Sequence, residues 1–221
     1  MNTLRFTASF DALICLNGSI PSEDLFEQFA ELPLIAADGA ATTLVANGVV
    51  PEFIVGDLDS VDADTLRRID GLTEVIVEPD QDANDFEKTL RFAEGQLWKR
   101  LLIVGIHGGD LEHTLNNWSV MMRYGRTLSL TALDRSRYAL PLYASTQFSA
   151  SENEFLSLIP QPHAQLTTEG LQWPLSNEAL WLGGREGARN RASSDVVQIT
   201  VHDGSLLFFC DARIPFAPEF G

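Results

Sequence analysis

The segment FIVGDLDS, residues 53–60, runs from an apolar stretch directly into a pair of carboxylates. The stretch ends at Val55, and Asp57 and Asp59 follow it almost at once. A short apolar run bounded by turn residues is typical of a buried strand. In an open α/β sheet, ligands bind beyond the carboxyl ends of the strands. We therefore expect Asp57 and Asp59 to project into a crevice at that edge of a sheet.

Short apolar runs alternate with amphipathic segments around this stretch. Apolar runs at 12–16 and 34–37 are each followed by an amphipathic segment, at 22–32 and 40–46. The alternation predicts a mainly parallel, Rossmann-like sheet with flanking helices. Two later stripes repeat at helical spacing and are predicted to face a core. They are Phe86, Leu90, Ala93 and Leu97 in the first, and Leu111, Leu115, Trp118 and Met122 in the second.

After Asp134 the helical periodicity disappears, and short alternating runs separated by Pro, Gly and Asn replace it. Alternation with a period of two is the pattern of β-strands. We therefore predict an α/β domain over residues 1–134 and an all-β domain over residues 135–221. Within the second domain, the pair Asp203-Gly204 between two apolar runs predicts a hairpin turn.

The composition argues against several classes of protein. The chain has 15 Lys plus Arg against 31 Asp plus Glu, a net charge of −16, which argues against a nucleic-acid partner. No apolar run approaches the roughly 18 residues of a membrane helix, and Asp11 interrupts the earliest one, so we expect no signal peptide and no membrane partner. We expect a cytoplasmic protein in which Cys15 and Cys210 are buried, reduced thiols.

Acidic residues are concentrated in three clusters, at residues 56–64, 80–88 and 108–113. Carboxylates about 4 Å apart repel by about 4 kcal/mol at an effective dielectric near 20, so such clusters call for a cation. Mg²⁺ suits them because it takes one or two carboxylates and keeps waters and substrate phosphates, whereas the first cluster lacks the glycine and closing Glu of a calcium loop. The chain has neither GxxxxGK[ST] nor GxGxxG, so a nucleotide would be bound by another device.

Some of these acids have a local explanation. Asp82 or Asn84 is placed to cap the helix that starts near residue 85. Asp62 and Asp64 are placed as the cap and first-turn charge of the preceding helix. Three acids and an Asn in the six positions 80–85 nevertheless exceed what one cap needs, so the second cluster is also predicted to serve a ligand.

The third cluster leads into a helix with polar residues on one face. His113, Asn116 and Asn117 share that face by their spacing. The glycines of residues 105–109 precede this helix and could offer backbone N–H groups to a phosphate.

These motifs, in this order, resemble those of the thiamine pyrophosphokinase family. The family pattern has a D-G segment, then PD-x-hydrophobic-x-GD-x-DS, D-x-D-x-TD-x-x-K and GG-R-x-DH, and then a β domain with G-L-x-[WY]-x-L and a Ser-Asn pair. This chain has Asp38-Gly39, PEFIVGDLDS at 51–60, DQDANDFEK at 80–88, GGDLEH at 108–113 and GLQWPL at 170–175. The resemblance spans nearly the whole chain, and the order of several motifs makes it specific.

The resemblance implies ATP-dependent transfer of pyrophosphate to thiamine, giving thiamine diphosphate and AMP. It also implies a homodimer, an α/β domain followed by a β-sandwich, and Trp173 lying against the thiamine cation. Mg²⁺ would be held by Asp57 and Asp59 with Asp82 or Asp85, and Lys88 would join these four acids in the catalytic set. The remaining positions that the motifs imply are Asp38, Gly39, Gly56, Ser60, Gly108, Gly109, Asp110, Glu112, His113 and Asn116 for the nucleotide, and Trp173, Arg189 and Asn190 for thiamine.

Four departures from the family pattern bear on the predicted sites. Asp110 replaces Arg, Glu112 replaces Asp, Asn84 replaces Thr, and Arg189 replaces the Ser of the Ser-Asn pair. The first change removes a cation that would pair with phosphate, and the last adds a cation where thiamine already brings one. The fold inference is unaffected, whereas the identity of donor and acceptor is left open.

Three alternatives therefore stand beside a working thiamine pyrophosphokinase. The first is a divergent member that uses another acceptor, and the second is a non-catalytic protein that binds a nucleotide or metabolite. The third is a metal-dependent phosphohydrolase similar to the haloacid dehalogenases, with Asp57 as the nucleophile. This third alternative explains only one acidic cluster of the three.

Overall fold

The computed structural model describes all 221 residues, Met1–Gly221, and they form two compact units. The α/β unit is Phe10–Arg135, and the β unit combines Met1–Ser9 with Ser136–Gly221. Residues 1–9, which the sequence pattern grouped with the α/β domain, thus belong to the β unit. The reason is that strand β1, Asn2–Ala8, pairs with strands of that unit, which a local pattern does not report.

The α/β unit alternates strands and helices along the chain. Its six strands form a parallel sheet in the order β7-β6-β2-β3-β4-β5, which confirms the predicted parallel sheet with flanking helices. The elements are β2 Ala12–Cys15, α1 Glu23–Gln28, β3 Leu34–Ala37, α2 Ala40–Ala46, β4 Phe53–Gly56, α3 Ala63–Arg68, β5 Glu74–Val77, α4 Asp85–Gly95, β6 Arg100–Val104, α5 Leu111–Tyr124 and β7 Ser129–Asp134.

The central strands of this sheet are short apolar runs because both of their faces are covered. Ile14 of β2, Ile35 of β3 and Ile54 of β4 are fully buried. Strand β2 pairs with β3 on one side and with β6 on the other. The chain moves outward from β2 to β5 and returns to β6, so the strand order reverses between β2 and β6. A ligand crevice in an open α/β sheet forms at the carboxyl end of such a switch point.

Helices α3 and α4 begin as predicted. The Asn84 side chain accepts a hydrogen bond from the Glu87 N–H at 2.9 Å and caps α4, and Asp62 caps α3 in the same manner. The predicted core stripe of α4 is buried except at Leu97, for which the prediction is wrong. Helix α4 ends at Gly95, and Leu97 lies in the following turn with φ 66° and 80% of its surface exposed.

The predicted core stripe of α5 is also wrong at its N-terminal half. Leu111 and Leu115 are 69% and 62% exposed, whereas Val120 and Met121 are buried. The inward side of α5 begins with polar side chains that line a cavity, so its apolar stripe follows the outer side. Periodicity alone identified the stripe but not the direction in which it faces.

The β unit is built around two long antiparallel strands, β10 and β13. Strand β13 also pairs with β8 and β9, strand β10 with β11 and β12, and β1 lies between β14 and β9. The result is the predicted β-sandwich, with Tyr138, Phe148 and Phe208 fully buried in its core. The strands are β8 Arg137–Leu142, β9 Thr146–Ser149, β10 Phe155–Glu169, β11 Glu178–Trp181, β12 Gly187–Arg191, β13 Val196–Asp211 and β14 Ala217–Phe220.

The hairpin predicted at Asp203-Gly204 is wrong. Strand β13 continues through these residues, and its register against β10 shifts there. Gly204 has φ 77°, and a Cβ at this position would lie 2.1 Å from the carbonyl oxygen of His163. The glycine therefore serves a β-bulge, which needs the same backbone freedom as a tight turn.

Both cysteines are free and buried, as predicted. Burial raises the pKa of the Cys15 thiol far above its usual range and that of Cys210 to about 12. Neither thiol is therefore ionised near neutral pH. Among the helices of the structure, none has the length and apolar character needed to cross a membrane.

Candidate functional site

A cavity of about 550 Å³ opens at the carboxyl edge of the parallel sheet. Its walls come from the residues that follow β2, β4 and β6, and from the first turns of α4 and α5. It therefore spans the reversal of strand order between β2 and β6, where a ligand is expected. The lining residues are Leu16, Asn17, Gly18, Ala37, Asp57, Asp59, Ser60, Gln81, Ala83, Asn84, Asp85, Phe86, Lys88, Gly105, Gly108, Gly109, Asp110, His113 and Asn117.

Three carboxylates meet where β3 and β4 end, and two of them, Asp57 and Asp59, line this cavity. Oxygens of Asp38, Asp57 and Asp59 all lie within 4.8 Å of one another. Asp38 follows β3 and is 1% exposed; its Oδ2 accepts a hydrogen bond from the Ser60 N–H at 3.2 Å, and its Oδ1 is buried without a hydrogen-bond partner. A buried, unpartnered carboxylate oxygen beside two further carboxylates is suited to a divalent cation.

Close backbone packing brings these acids together. A Cβ at Gly56 would lie 2.7 Å from the Asp38 Cβ, so only glycine lets Asp38 approach the end of β4. A Cβ at Gly39 would likewise lie 2.7 Å from the Asn17 Nδ2. Gly39 and Gly56, which the motif assigned to the nucleotide, do not line the cavity, and they act by allowing this approach. Leu58, between the two other acids, has φ 66°, an uncommon conformation that occurs at ligand sites.

The charges around these acids are only partly balanced. Lys88 is buried, and its Nζ lies 3.1 Å from the Asp85 Oδ1 and 3.4 Å from the Asp57 Oδ2. Burial by itself lowers the pKa of Lys88, but the two carboxylates outweigh it and leave that pKa raised. A hydrogen bond from Gln81 at 2.8 Å, assisted by Lys88, lowers the pKa of Asp57.

Asp38 has the opposite shift. Its burial and then the charge of Asp85 raise the pKa of its carboxyl, while hydrogen bonds from Ser60 and Leu58 lower it less. Lys88 pairs with Asp57 and Asp85, and neither Asp38 nor Asp59 has a salt bridge to a Lys or Arg side chain. The excess of negative charge favours a cation in the cavity.

The second acidic cluster is divided by the structure. Asp85 and Lys88 line the cavity, whereas Asp80 is paired with Arg91 at 2.7 Å. Asp82, predicted as a metal ligand, is exposed and lies outside the cavity lining, and its N–H donates to the Asp80 Oδ1 at 2.9 Å. The turn before α4 places Gln81 and residues 83–86 at the cavity but not Asp80 or Asp82, which sequence spacing alone did not reveal.

The third cluster places the predicted glycine loop, Asp110 and His113 at the cavity, but not Glu112 or Asn116. Asn117 takes the position expected of Asn116, one turn after His113. Its Oδ1 accepts from the Asn84 Nδ2 at 3.1 Å, and its Nδ2 donates to the Ile106 carbonyl at 3.2 Å.

The glycine loop between β6 and α5 is tightly packed at Gly108 and open at Gly109. Both residues have positive φ, and a Cβ at Gly108 would lie 2.3 Å from the Ser19 Oγ, whereas one at Gly109 would meet nothing within 4 Å. Asp110 follows as the N-cap of α5, and its carboxylate makes no capping hydrogen bond. An acid therefore stands at a helix N-terminus that would otherwise attract phosphate.

Other lining residues were not singled out from the sequence. Gln81 lies within the second motif, and its bond to Asp57 becomes visible only in three dimensions. Asn17 and Gly18 follow β2 and line the cavity without belonging to any motif considered above. The signal that could have found them is their position directly after a buried strand next to the switch point.

The predicted thiamine residues lie in the β unit and have different roles. Trp173 is 56% exposed. Asn190 is buried, its Oδ1 accepts from the N–H groups of Trp173 and Arg191 at 3.1 and 2.8 Å, and its Nδ2 donates to the Trp173 carbonyl at 2.7 Å. Both polar atoms of the Asn190 amide are therefore used to hold the backbone at Trp173 in place. Arg189 places its guanidinium over the Phe155 ring, 4.4 Å from the ring centroid.

Comparison with known proteins accounts for both units. The family model described as thiamin pyrophosphokinase, catalytic domain, matches residues 29–131. The model described as thiamin pyrophosphokinase, vitamin B1 binding domain, matches residues 145–206. The chain belongs to the thiamin pyrophosphokinase family.

Similar proteins from plants and bacteria support this membership. Thiamine pyrophosphokinase 1 of Arabidopsis thaliana is 31% identical over 228 residues, covering 90% of this chain and 84% of the relative. Thiamine pyrophosphokinase of Bacillus subtilis is 25% identical over 157 residues, covering 67% of this chain and 73% of the relative.

Solved structures of thiamin pyrophosphokinases share the fold. The Bacillus subtilis structure has a TM-score of 0.75 at 22% identity, over 92% of this chain and all (100%) of that chain. The yeast structure has a TM-score of 0.78 at 17% identity, over 93% of this chain and 87% of that chain.

The four departures of this chain from the thiamin pyrophosphokinase family pattern differ in where they lie and in what they change. Asp110 lines the cavity and Arg189 lies on the β unit surface, so both are accessible to a ligand. Glu112 lies outside the cavity lining, whereas Asn84 both lines the cavity and caps α4. Asp110 and Arg189 can change ligand preference through their charge, whereas Asn84 is a neutral replacement for Thr at a position where either residue caps a helix.

Proposed function

We propose that this chain transfers the pyrophosphoryl group of ATP to the hydroxyethyl oxygen of thiamine, giving thiamine diphosphate and AMP. The observation that carries the proposal is the match of both units to the family models, with the acidic cavity at the switch point of the first. In the reaction, the thiamine oxygen bonds to the β-phosphorus as the bond from that phosphorus to the α,β-bridging oxygen breaks. The hydroxyl proton is released, and AMP leaves with the bridging oxygen.

We propose Mg²⁺ as the cation of the cavity, with Asp38, Asp57 and Asp59 as the residues that would hold it. The unpartnered Asp38 Oδ1 and the clustered carboxylates support this choice. When bound, Mg²⁺ would neutralise charge on the ATP phosphates. Asp82 and Asp85 are left out of the set because neither belongs to this group of carboxylates, and Asp85 pairs with Lys88 at 3.1 Å.

The chain's own residues would mainly position the substrates, because phosphoryl transfer depends on alignment and charge neutralisation. Lys88, held charged between Asp57 and Asp85, would offset phosphate charge. The open backbone at Gly109 and the start of α5 would approach the phosphates. Trp173 would cover the thiazolium, a contact that contributes about 0.5–2 kcal/mol.

The test is incubation of the protein with Mg²⁺, ATP and thiamine, with chromatographic detection of thiamine diphosphate and AMP. We expect both products in equal amounts and their loss in Asp57→Asn, while Asp64→Asn, an exposed acid paired with Arg67, keeps wild-type activity. Phosphate release without AMP would instead indicate a phosphohydrolase. Stabilisation by ATP without any product would indicate a binding protein.

Two residues support the alternative of a divergent family member that uses another acceptor. Asp110 lines the cavity where the family pattern has Arg, and the Arg189 guanidinium has no carboxylate to neutralise it. Both changes disfavour the usual substrates by charge. We therefore expect weaker use of thiamine than in a member that has Arg and Ser at these positions.

The predicted cytoplasmic location stays a prediction.

We also propose a homodimer, supported by the outer stripe of α5. Leu111, Leu115, Trp118 and Met122 repeat at the i, i+4, i+7, i+11 spacing of a coiled-coil seam. Leu111 and Leu115 are 69% and 62% exposed, so they present apolar surface to solvent at the start of α5. Two antiparallel copies of α5 would bury these side chains against each other, which is why we choose a second copy of this chain as the partner.

Sedimentation at micromolar concentration tests the dimer and its surface together. We expect a dimer that Leu115→Glu weakens by at least about tenfold, because a buried charge without a partner is unfavourable. Leu97→Glu is the matched control, since Leu97 is equally apolar and 80% exposed but lies outside α5. A monomeric wild type would contradict the dimer, and a Leu115→Glu dimer of unchanged affinity would contradict the surface.

A further inference from the structure

Two arginine side chains of β12 converge on one aromatic ring of β10. The Cζ atoms of Arg189 and Arg191 lie 4.4 and 4.0 Å from the centroid of the Phe155 ring. The two Cζ atoms are therefore no more than 8.4 Å apart, the sum of these distances. Like charges at that separation repel, and an anion between them would turn the repulsion into attraction.

A β-bulge brings Arg189 to this ring. Strands β10 and β12 pair at Leu156 with Asn190 and at Leu158 with Gly187, so two residues of β12 stand opposite one residue of β10. Arg189 is one of the two, and it has φ 57°, a conformation that is unfavourable for a residue with a Cβ. Bulges re-aim side chains and are frequent next to functional sites. The Arg189 N–H donates to the Ser157 Oγ at 3.0 Å, and in this conformation the Arg189 side chain reaches the same ring as Arg191.

Neither guanidinium is paired with a carboxylate, although the chain has 31 acidic residues. Arg137 and Arg213 of the same unit do bind carboxylates, at 3.0 and 2.7 Å. Arg191 has a 3.5 Å contact with the Asn153 carbonyl, and Arg189 has its ring contact. Stacking on a ring uses the face of a guanidinium and leaves the N–H groups in its plane able to bind an oxyanion.

We propose that Arg189 and Arg191 form a binding site for a diphosphate group. Two guanidinium forks held on one ring can each bind one phosphoryl unit of the same diphosphate. Both ATP and thiamine diphosphate carry this group, and the choice of thiamine diphosphate rests on the proposed function. Thiamine without phosphate is a cation, which two adjacent guanidinium groups disfavour. The site therefore favours the reaction product over the acceptor and would retain the product on the β unit.

Calorimetric titration with inorganic diphosphate in the presence of a chelator tests the site, because the acidic cavity is expected to bind phosphates only with Mg²⁺. We expect wild-type protein to bind, and Arg189→Ala and Arg191→Ala each to weaken binding by about tenfold or more, as for loss of a charge-assisted pair. Arg185→Ala is the matched control: it removes the same charge from an exposed arginine of this unit that already pairs with Glu178. It should leave the affinity within about twofold of wild type.

Circular dichroism and thermal unfolding of each variant would verify the fold, and Arg189→Lys provides a second variant. Lysine keeps the charge but lacks the planar fork, so we expect an affinity between those of wild type and Arg189→Ala. Absence of binding in wild type, or an equal loss in Arg185→Ala, would overturn the site.

Titrations with thiamine diphosphate, ATP and thiamine distinguish the sources of the diphosphate group. We expect thiamine diphosphate to bind at least about tenfold more tightly than thiamine, and this preference to disappear in the double variant Arg189→Ala/Arg191→Ala. Loss of ATP affinity alone in that variant would overturn the assignment to the product. The transfer assay on the same preparations separates the two proposals: absent transfer with intact diphosphate binding refutes only the proposed function, and normal transfer with no arginine-dependent binding refutes only this site.

Discussion

Replacing Asp38 by Asn tests the cation site through stability as well as activity. Asn has nearly the shape of Asp, tolerates the φ of 39° at this position, and can keep the hydrogen bond from the Ser60 N–H. Its amide nitrogen could point toward Asp57 and Asp59 in place of the unpartnered oxygen. The substitution therefore removes a negative charge while preserving the packing.

The magnitude follows from the distances between the carboxylates. At the 4.8 Å limit of the cluster, two full charges repel by about 3 kcal/mol at an effective dielectric near 20. Solvent around the two more exposed acids reduces this value, so we expect Asp38→Asn to stabilise the metal-free protein by about 1–3 kcal/mol. In Mg²⁺ this advantage should shrink or reverse, because wild-type protein gains about 2.7 kcal/mol at a metal concentration 100 times the Kd.

The stability difference should also depend on pH. The pKa of Asp38 is raised above its ordinary 3.8, so the folded protein favours the protonated carboxyl. Protonation of Asp38 therefore stabilises wild-type protein fully below the ordinary pKa of 3.8, and this stabilisation is lost as the pH rises through the raised pKa of the folded state. The advantage of Asp38→Asn is therefore complete at neutral pH and shrinks on acidification.

Urea unfolding in chelator and in Mg²⁺, at pH 7 and near pH 4, measures these differences. Asp64→Asn serves as the control, since Asp64 is an exposed acid that pairs only with Arg67 in the structure, and it should change stability by less than about 0.5 kcal/mol. If Asp38→Asn is no more stable than wild type in chelator and gains as much from Mg²⁺, the reasoning about this cluster is refuted.

Three further changes test other parts of the structure. Asn190→Ala should lower the free energy of unfolding by about 2–3 kcal/mol in urea, because three backbone hydrogen bonds lose their partner, and a loss below about 0.5 kcal/mol would contradict that role. Gly56→Ala should displace Asp38 and weaken the apparent affinity for Mg²⁺ by about tenfold or more. An unchanged Mg²⁺ titration would show that the close approach of Gly56 and Asp38 is not needed for metal binding. Asp110→Arg combined with Arg189→Ser should increase kcat/KM for thiamine about tenfold or more, since it removes one repulsion from phosphate and one from the thiazolium, and equal kinetics in both proteins would place these residues away from the substrates.

Much of the architecture could be predicted because the relevant signals are local. Short apolar strands and the cap at Asn84 each depend on neighbours within a few residues, and both predictions agree with the structure. The direction of the α5 stripe could not be predicted in this way. Leu111 and Leu115 have core spacing, but the inner side of the helix is committed to the polar wall of the cavity, and only the packed sheet determines which side is inner.

The sequence by itself determined the fold class, the family and the segments that carry the acidic clusters, because hydrophobic periodicity and the order of the motifs can be read directly along the chain. Only the tertiary structure decided which acids meet. It joined Asp38 from the end of β3 to Asp57 and Asp59 from the end of β4, and it turned Asp82 away from them. It also stacked Arg189 and Arg191 on Phe155 through a bulge that pairs distant strands. Which strand ends lie close together depends on the order of the strands in the sheet and on how closely their backbones pack. Both are determined jointly by residues that are far apart in sequence.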